Sequence, residues 1–452
     1  MIFSKPYKQE YKSIWKIAYP LVLGNAGHMI TSIADTIMVG QLGSDHLAAA
    51  SIAHTIFILI FVFGIGIANG LTPLVGKAYG EKDFTELKSL FKYGFYTITI
   101  TGLIIAGIML LAANVIPYLG QEPRVVELAV PYYYIISFSM IPYMVFLSYK
   151  QFADGMTKTK PGMTIIIICN IANVILNYLL IYGKYGFPEL GLNGAAIATL
   201  ISRAMMAICF IFYMQYNTFL KQFVHNFSSI LPTFDKPKAI MKLGIPTGFQ
   251  YVLEVGAFAS SVVMTGWLGA KSLASFQIVM SICGLTYLMS GGVANASTVR
   301  ISNLIGEGKL KKVRVAGASA FIMVISFMAI ASIVLILGRH FFPSLYITEF
   351  EVIEVASKLI LAAAIFQIMD GTQVTAMGSL RGMQDVKIPT YIAMLAYWVL
   401  MLPVTYFLGI YMELGVVGIW YGFIVGLFGA ALGLFIRYEY VSRKYAMQSS
   451  LT

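Results

Sequence analysis

Residues Ile17 to Gly43, IAYPLVLGNAGHMITSIADTIMVGQLG, form an apolar run with a single carboxylate, Asp35, and the run returns 226 positions later as IPTGFQYVLEVGAFASSVVMTGWLG. Pro20 falls on Pro246, Met38 on Met264, Gly40 on Gly266 and Gly43 on Gly269. The match continues without a gap through Asn69 with Asn295 to Gly80-Glu81 with Gly306-Glu307. A half-chain duplication is the simplest explanation, so the fold must consist of two related halves. The copies differ where chemistry would sit: Asp35 faces Ser261 in the alignment, and Glu254 faces His28.

The duplicated unit is too greasy for water. Of the 452 residues 58% are hydrophobic and 11% charged, and the mean hydropathy is +0.79, values of a polytopic membrane protein. Apolar runs long enough to cross a bilayer occur twelve times, at about 14–40, 47–76, 90–114, 126–149, 161–183, 191–216, 239–266, 273–299, 314–338, 352–377, 388–411 and 415–437. The predicted fold is therefore all-α, twelve transmembrane helices in two pseudo-symmetric six-helix lobes. The N-lobe covers 1–216, a cytoplasmic linker 217–238, and the C-lobe 239–452. The net charge of +11 lies in short segments between apolar runs, which fits membrane topology and argues against nucleic acid as a partner. Cys169, Cys209 and Cys283 stand singly inside apolar runs, so neither a disulfide framework nor a zinc pattern is expected.

With the N-terminus in the cytoplasm, about 25 of the 31 Lys and Arg fall on the inner side. Both termini are thus expected inside. Six crossings per repeat bring both repeats into the membrane in the same direction, an arrangement of transporters that rock one bundle against another. Pro20 and Pro246 hold the same repeat position and point to a paired bend in the first and seventh helices.

Ionisable groups inside a span are costly unless they face a cavity or a partner, which makes each a functional candidate. Counting about 1.5 Å per residue from the nearest inner charge puts Glu254 about 18 Å deep, Asp370 about 17 Å and Tyr287 about 20 Å. Three helices of the second half thus carry polar groups at one level near the midplane. The first half has a second set: Asp35 at about 28 Å, with Asn173 and Asn177 at about 20 and 26 Å and on one helix face. Thr199 can reach the same level. A carboxylate with amide and hydroxyl oxygens suits Na⁺, or a proton held on Asp35. Glu254 and Asp370 cannot both ionise cheaply in one low-dielectric cavity, so the pair can hold a proton or an organic cation but not both. Such exclusivity makes an antiporter. His28 and His54 read as structural, and Arg203, inside the sixth span, calls for a counter-charge or carbonyls.

The opening PLVLGNAGHMITSIADTIMVGQLG, its repeat with Glu254, the segment QFADGMTKTKP and the segment MDGTQVTAMGSLRGMQDVKIP around Asp370 resemble the multidrug and toxic compound extrusion family, in its NorM-type branch. The resemblance covers essentially the whole chain. It implies export of cationic, often aromatic compounds across a bacterial inner membrane in exchange for Na⁺ or H⁺, with no other cofactor. By position it implies that Asp35, Asn173, Asn177 and Thr199 form the N-lobe cation or proton site. It likewise implies that Glu254, Tyr287 and Asp370 form the C-lobe site, and that Glu254, Gln277 and Asp370 contact substrate. Asp35, Glu254 and Asp370 would be the Na⁺ ligands. Two departures stand out: Asn177 occupies a position where some members carry an aspartate, and Phe366 one where some carry a tyrosine. The partners expected are small organic cations and the bilayer, and the internal duplication makes a monomer sufficient.

A flippase for lipid-linked precursors, with a related fold, is the nearest alternative. Its anionic cargo would call for basic cavity residues, where this chain has acidic ones and Arg203 alone. A membrane enzyme is disfavoured because neither HExxH nor a GxxxxGK[ST] phosphate loop is present. A channel is disfavoured by the duplicated lobes, which suit alternating access.

Overall fold

The computed structural model describes residues 5–224 and 233–448. Among these residues there is no strand, and the chain forms twelve long helices, as the sequence predicts. They are α1 (Lys5–Gly40), α2 (Ser44–Glu81), α3 (Phe84–Ala112), α4 (Pro123–Gly155), α5 (Thr159–Tyr182), α6 (Gly191–Tyr216), α7 (Asp235–Gly266), α8 (Ala270–Gly306), α9 (Leu310–Leu337), α10 (Phe350–Gly382), α11 (Lys387–Tyr411) and α12 (Gly415–Gln448). All except α1 and α7 are long and apolar enough to cross a membrane on composition alone. Those two are long, at 36 and 32 residues, but carry charges in their first turns and a site carboxylate further on.

The duplication is written into the corners. Gly43 and Gly269 both end a helix-to-helix corner at positive φ, 116° and 99°, where a side chain would be strained. Lys82 (φ 58°) and Gly308 (φ 70°) hold the equivalent left-handed position after α2 and α8, and Thr157 (φ 63°) and Gln384 (φ 60°) do so after α4 and α10. At each of these later corners the next N–H reaches back to the helix: Asp83 to Ala78, Lys309 to Leu304, Lys158 to Ala153 and Asp385 to Leu380.

Packing groups the chain into two compact units, one of Leu23–Gly248 and one of Met1–Val22 with Phe249–Thr452. The sequence divides the chain at 217–238; packing divides it inside α1 and inside α7, at the equivalent residues Val22 and Gly248. Within that linker, Leu220 and Phe223 are buried, and residues 225–232 lie outside the described residues. Each unit thus holds the first half of one repeat helix and the remainder of the other. In the second unit Ile14, Ile17, Ala18 and Leu21 of α1 form a core with Val293, Ala296 and Val299 of α8 and Val324 and Met328 of α9. Buried Glu10 anchors this half-helix through a two-pronged pair with Arg300, at 2.7 and 2.9 Å. In the first unit the start of α7 is held by a Lys236–Glu86 pair.

The half of α7 in the first unit crosses α2 backbone against backbone. Gly66 and Gly70 on α2 meet Gly244 and Gly248 on α7, two Gly-x-x-x-Gly pairs of the kind that let membrane helices approach closely. A Cβ on Gly70 would lie 2.6 Å from the Gly244 nitrogen, and one on Gly244 would lie 2.6 Å from the Ile67 carbonyl oxygen.

Candidate functional site

Among the described residues each unit contains a cluster in which a predicted carboxylate meets an amide. In the second unit α7 supplies Glu254 and α10 supplies Asp370 and Gln373, three residues apart and so on one helix face. All three are buried, at 7%, 6% and 0% exposure. The Gln373 amide nitrogen donates to both carboxylates, 3.2 Å from Glu254 Oε1 and 3.3 Å from Asp370 Oδ1. With the nitrogen toward the two acids, each carboxyl oxygen accepts, as it can when one or both are ionised. The amide oxygen then faces the fully buried Tyr397 hydroxyl, which donates to it at 2.9 Å. Tyr397 sits in a stretch of π-helical turns, Leu395–Met401 of α11, a local widening common where a helix must aim a side chain. On one side the cluster is walled by Phe258, whose ring lies 6.3 Å from both Tyr397 and Phe366.

The structure therefore brings Glu254 and Asp370 together through Gln373. Phe366 is a packing residue, buried and edge-on to Trp420 at 5.3 Å, with no hydroxyl to give. Tyr287 is 37% exposed and makes no hydrogen bond to either carboxylate among the described residues. Gln277 is exposed and lies on α8 ten residues before Tyr287, about 15 Å along the helix. Depth counting singled out neither Gln373 nor Tyr397, since one uncharged polar residue or one tyrosine among many carries little signal of its own. The signal for Gln373 was its spacing of three from Asp370.

In the first unit Asn177 of α5 is fully buried and donates to Asp35 of α1, and the same amide nitrogen lies 3.3 Å from the Asn173 carbonyl oxygen. Asp35, Asn173 and Asn177 are thus one constellation, and the Asn177 oxygen is buried without a partner, an acceptor left over for a cation or a proton donor. Thr199 donates to the Ala195 carbonyl one turn back, at 3.0 Å, and makes no hydrogen bond to Asp35.

Arg203 of α6, expected to call for a counter-charge or carbonyls, is held by aromatic rings and a hydroxyl. Its guanidinium carbon lies 5.2, 4.9 and 5.0 Å from the ring centres of Phe57, Phe61 and Tyr143, and Nη1 donates to Ser139 Oγ at 2.7 Å. Each ring face contributes about 0.5–2 kcal/mol to holding the cation. Ser139 is available because α4 is interrupted there, its segments running Pro123–Phe138 and Met140–Gly155.

Twelve long helices in two related halves, ten of them apolar enough to span a bilayer and each half holding a carboxylate–amide cluster, define a polytopic membrane transporter. The MatE family model matches residues 20–179 and again 246–407, two stretches that begin at Pro20 and Pro246. The chain is 30% identical to the probable multidrug resistance protein NorM of Rhizobium meliloti, over 95% of this chain and 93% of that one. It is also 30% identical to the multidrug resistance protein NorM of Photobacterium profundum, over 96% of each. Its fold matches that of the eukaryotic MATE transporter AtDTX14 with a TM-score of 0.87 at 20% identity, covering 98% of this chain and 100% of that one. An outward-facing MATE family transporter of the MOP superfamily matches with a TM-score of 0.86 at 20% identity, covering 98% and 99%. The chain belongs to the multidrug and toxic compound extrusion (MatE) family.

Proposed function

We propose that this protein is a cation-coupled antiporter that exports organic cations by alternating access, driven by Na⁺ or H⁺. The observation that carries the reading is the Glu254–Gln373–Asp370 cluster. Two carboxylates share one amide donor in a buried site, so the site is short of positive charge and accepts a proton, a metal cation or an organic cation, each at the expense of the others. Asp35 with Asn177 and Asn173 forms a second acceptor site in the other unit. The names of the NorM relatives and the positive-inside bias support an inner-membrane exporter with both termini in the cytoplasm. A single chain holds both clusters, so a monomer suffices.

In this scheme cargo binds from the cytoplasm against the ionised carboxylates, and after reorientation the coupling ion takes its place. Linkage then requires ion and cargo to weaken each other's binding by the same factor. The test is efflux of a fluorescent organic cation from proteoliposomes under a Na⁺ gradient alone and a pH gradient alone. Wild type, Asp35→Asn and Glu254→Gln are compared. One gradient is expected to drive efflux in wild type, with a loss of tenfold or more in at least one variant. Efflux indifferent to both gradients would overturn antiport.

A further inference from the structure

Arg381 follows Asp370 on α10 by three helical turns, about 16–17 Å, and lies on the same face. It is 5% exposed. Its Nη1 donates to Asn295 Oδ1 of α8 at a long 3.4 Å, and its guanidinium carbon lies 5.7 Å from the centre of the Tyr251 ring of α7. Its Nε is buried without a hydrogen-bond partner, and no carboxylate pairs with it among the described residues. Tyr251 precedes Glu254 on α7 and Asn295 follows Tyr287 on α8. These three side chains therefore form a layer on the side of the acids that the charge bias assigns to the cytoplasm. Tyr287 is within electrostatic reach of Glu254, Asp370 and Arg381. A helical side chain leans toward the start of its helix, which turns the guanidinium toward the acids.

The first unit closes the same level differently. The matching corners at Thr157 and Gln384 put Asp154 where Arg381 stands. Asp154 is buried and paired with Lys150 at 2.6 Å. Asn69, the repeat partner of Asn295, accepts from Gln151, whose oxygen accepts from Thr72. Those side chains sum to no net charge, whereas those of the second unit keep a positive one.

We infer that Arg381 is the cation seal of the second unit: its fixed charge keeps an ion held by Glu254 and Asp370 from crossing on to the cytoplasm without cargo. A fixed arginine on a narrow path excludes cations by charge, and a guanidinium without a counter-ion does so better than a paired one. An organic cation is too wide to thread the packed interior of one bundle, so the seal acts on the small coupling ion. This inference rests on the antiport reading for the ion at the acids and goes beyond it by naming what prevents slip.

The test measures ion leak with no cargo present. Purified full-length protein is placed in liposomes that hold a sodium-sensitive or a pH-sensitive dye, and a potassium diffusion potential set with valinomycin, negative inside, pulls cations in. Wild type is expected to stay close to empty liposomes. Arg381→Gln is expected to raise entry of Na⁺ or H⁺ by about tenfold or more. Arg381→Lys, which keeps the charge, is expected to stay near wild type. Adding Glu254→Gln to Arg381→Gln is expected to suppress the leak, because the ion loses its entry site. Asn295→Asp leaves the arginine in place and neutralises it with a carboxylate of the same shape, and is expected to leak as Arg381→Gln does.

Arg381→Gln as tight as wild type would overturn the seal. So would a leak of equal size in Arg381→Lys, or one that survives Glu254→Gln, since either marks a damaged bundle rather than a lost charge. If Arg381→Gln is not recovered folded, Asn295→Asp decides, and a tight Asn295→Asp overturns the inference. The expected leak pattern together with wild-type dye efflux indifferent to both gradients leaves the seal standing and counts against antiport.

Discussion

A single amide holds two acids together in the second unit, and its oxygen accepts from a phenol. Replacing Tyr397 with Phe keeps the packing against Phe258 and removes the donor to the Gln373 oxygen. Leaving that buried acceptor unpaired is expected to cost about 1–3 kcal/mol, read as a lower melting temperature of the purified protein. Gln373→Leu removes the shared donor and leaves both carboxylates in place. Ion-driven efflux is expected to fall by tenfold or more with the protein still folded, and normal efflux in this variant would remove the amide from the mechanism. At this scale the sequence was legible where a group is both charged and deep: Asp35, Glu254 and Asp370 declared themselves by counting residues from the nearest lysine or arginine. Neutral partners were harder. Asn173 and Asn177 could be read because they sit one turn apart inside a mostly apolar helix. Thr199 and Gln277 shared the polar signal, but the first spends its hydroxyl on its own helix and the second is exposed.

The elements show where composition stops being informative. Apolar runs located all twelve helices, yet most extend past the runs that revealed them. Helix α10 continues from 377 to Gly382 and α12 from 437 to Gln448, because polar residues in a helical turn satisfy their backbone as well as apolar ones do. How closely two helices approach is set instead by glycine spacing. At the crossing of α2 with α7 the four glycines meet main chain, which cannot swing aside. Gly70→Ala or Gly248→Ala is therefore expected to destabilise by about 1–3 kcal/mol. Gly107, five residues before the end of α3 and with no neighbouring atom within 4 Å of where its Cβ would point apart from its own helix, is the control: Gly107→Ala is expected to be neutral or to stabilise by up to about 1 kcal/mol. Thermal melts of the three variants in one detergent check the contrast. The equivalent crossing in the other repeat replaces most of these glycines, setting Gly292 and Ala296 against Ala18 and Val22, so the duplicated helices do not make duplicated contacts.

For the whole molecule the charge pattern makes a prediction that packing does not. With Cys169, Cys209 and Cys283 replaced by alanine, a cysteine introduced at Lys184, in the exposed corner after α5, is expected to react with a membrane-impermeant maleimide added to intact cells. One at Lys311, at the exposed start of α9, is expected to react only after the membrane is opened. The reverse pattern would invert the topology. The division of the chain into units was not legible, because an unbroken apolar helix says nothing about which bundle each of its halves joins.

That division has a consequence for how the protein is made. Glu10 and its partner Arg300 are separated by 290 residues of chain. At about 5–20 residues per second of synthesis, the first half of α1 waits on the order of 15–60 s before the surface that receives it exists. During that interval the core it joins, with Val293, Ala296 and Val299, does not yet exist. The N-terminal unit has its own delay, since it is closed only when α7 delivers Gly244 and Gly248 to α2. Assembly of this protein is therefore sequential, and the first half of its first helix waits for α8 and α9 to be made.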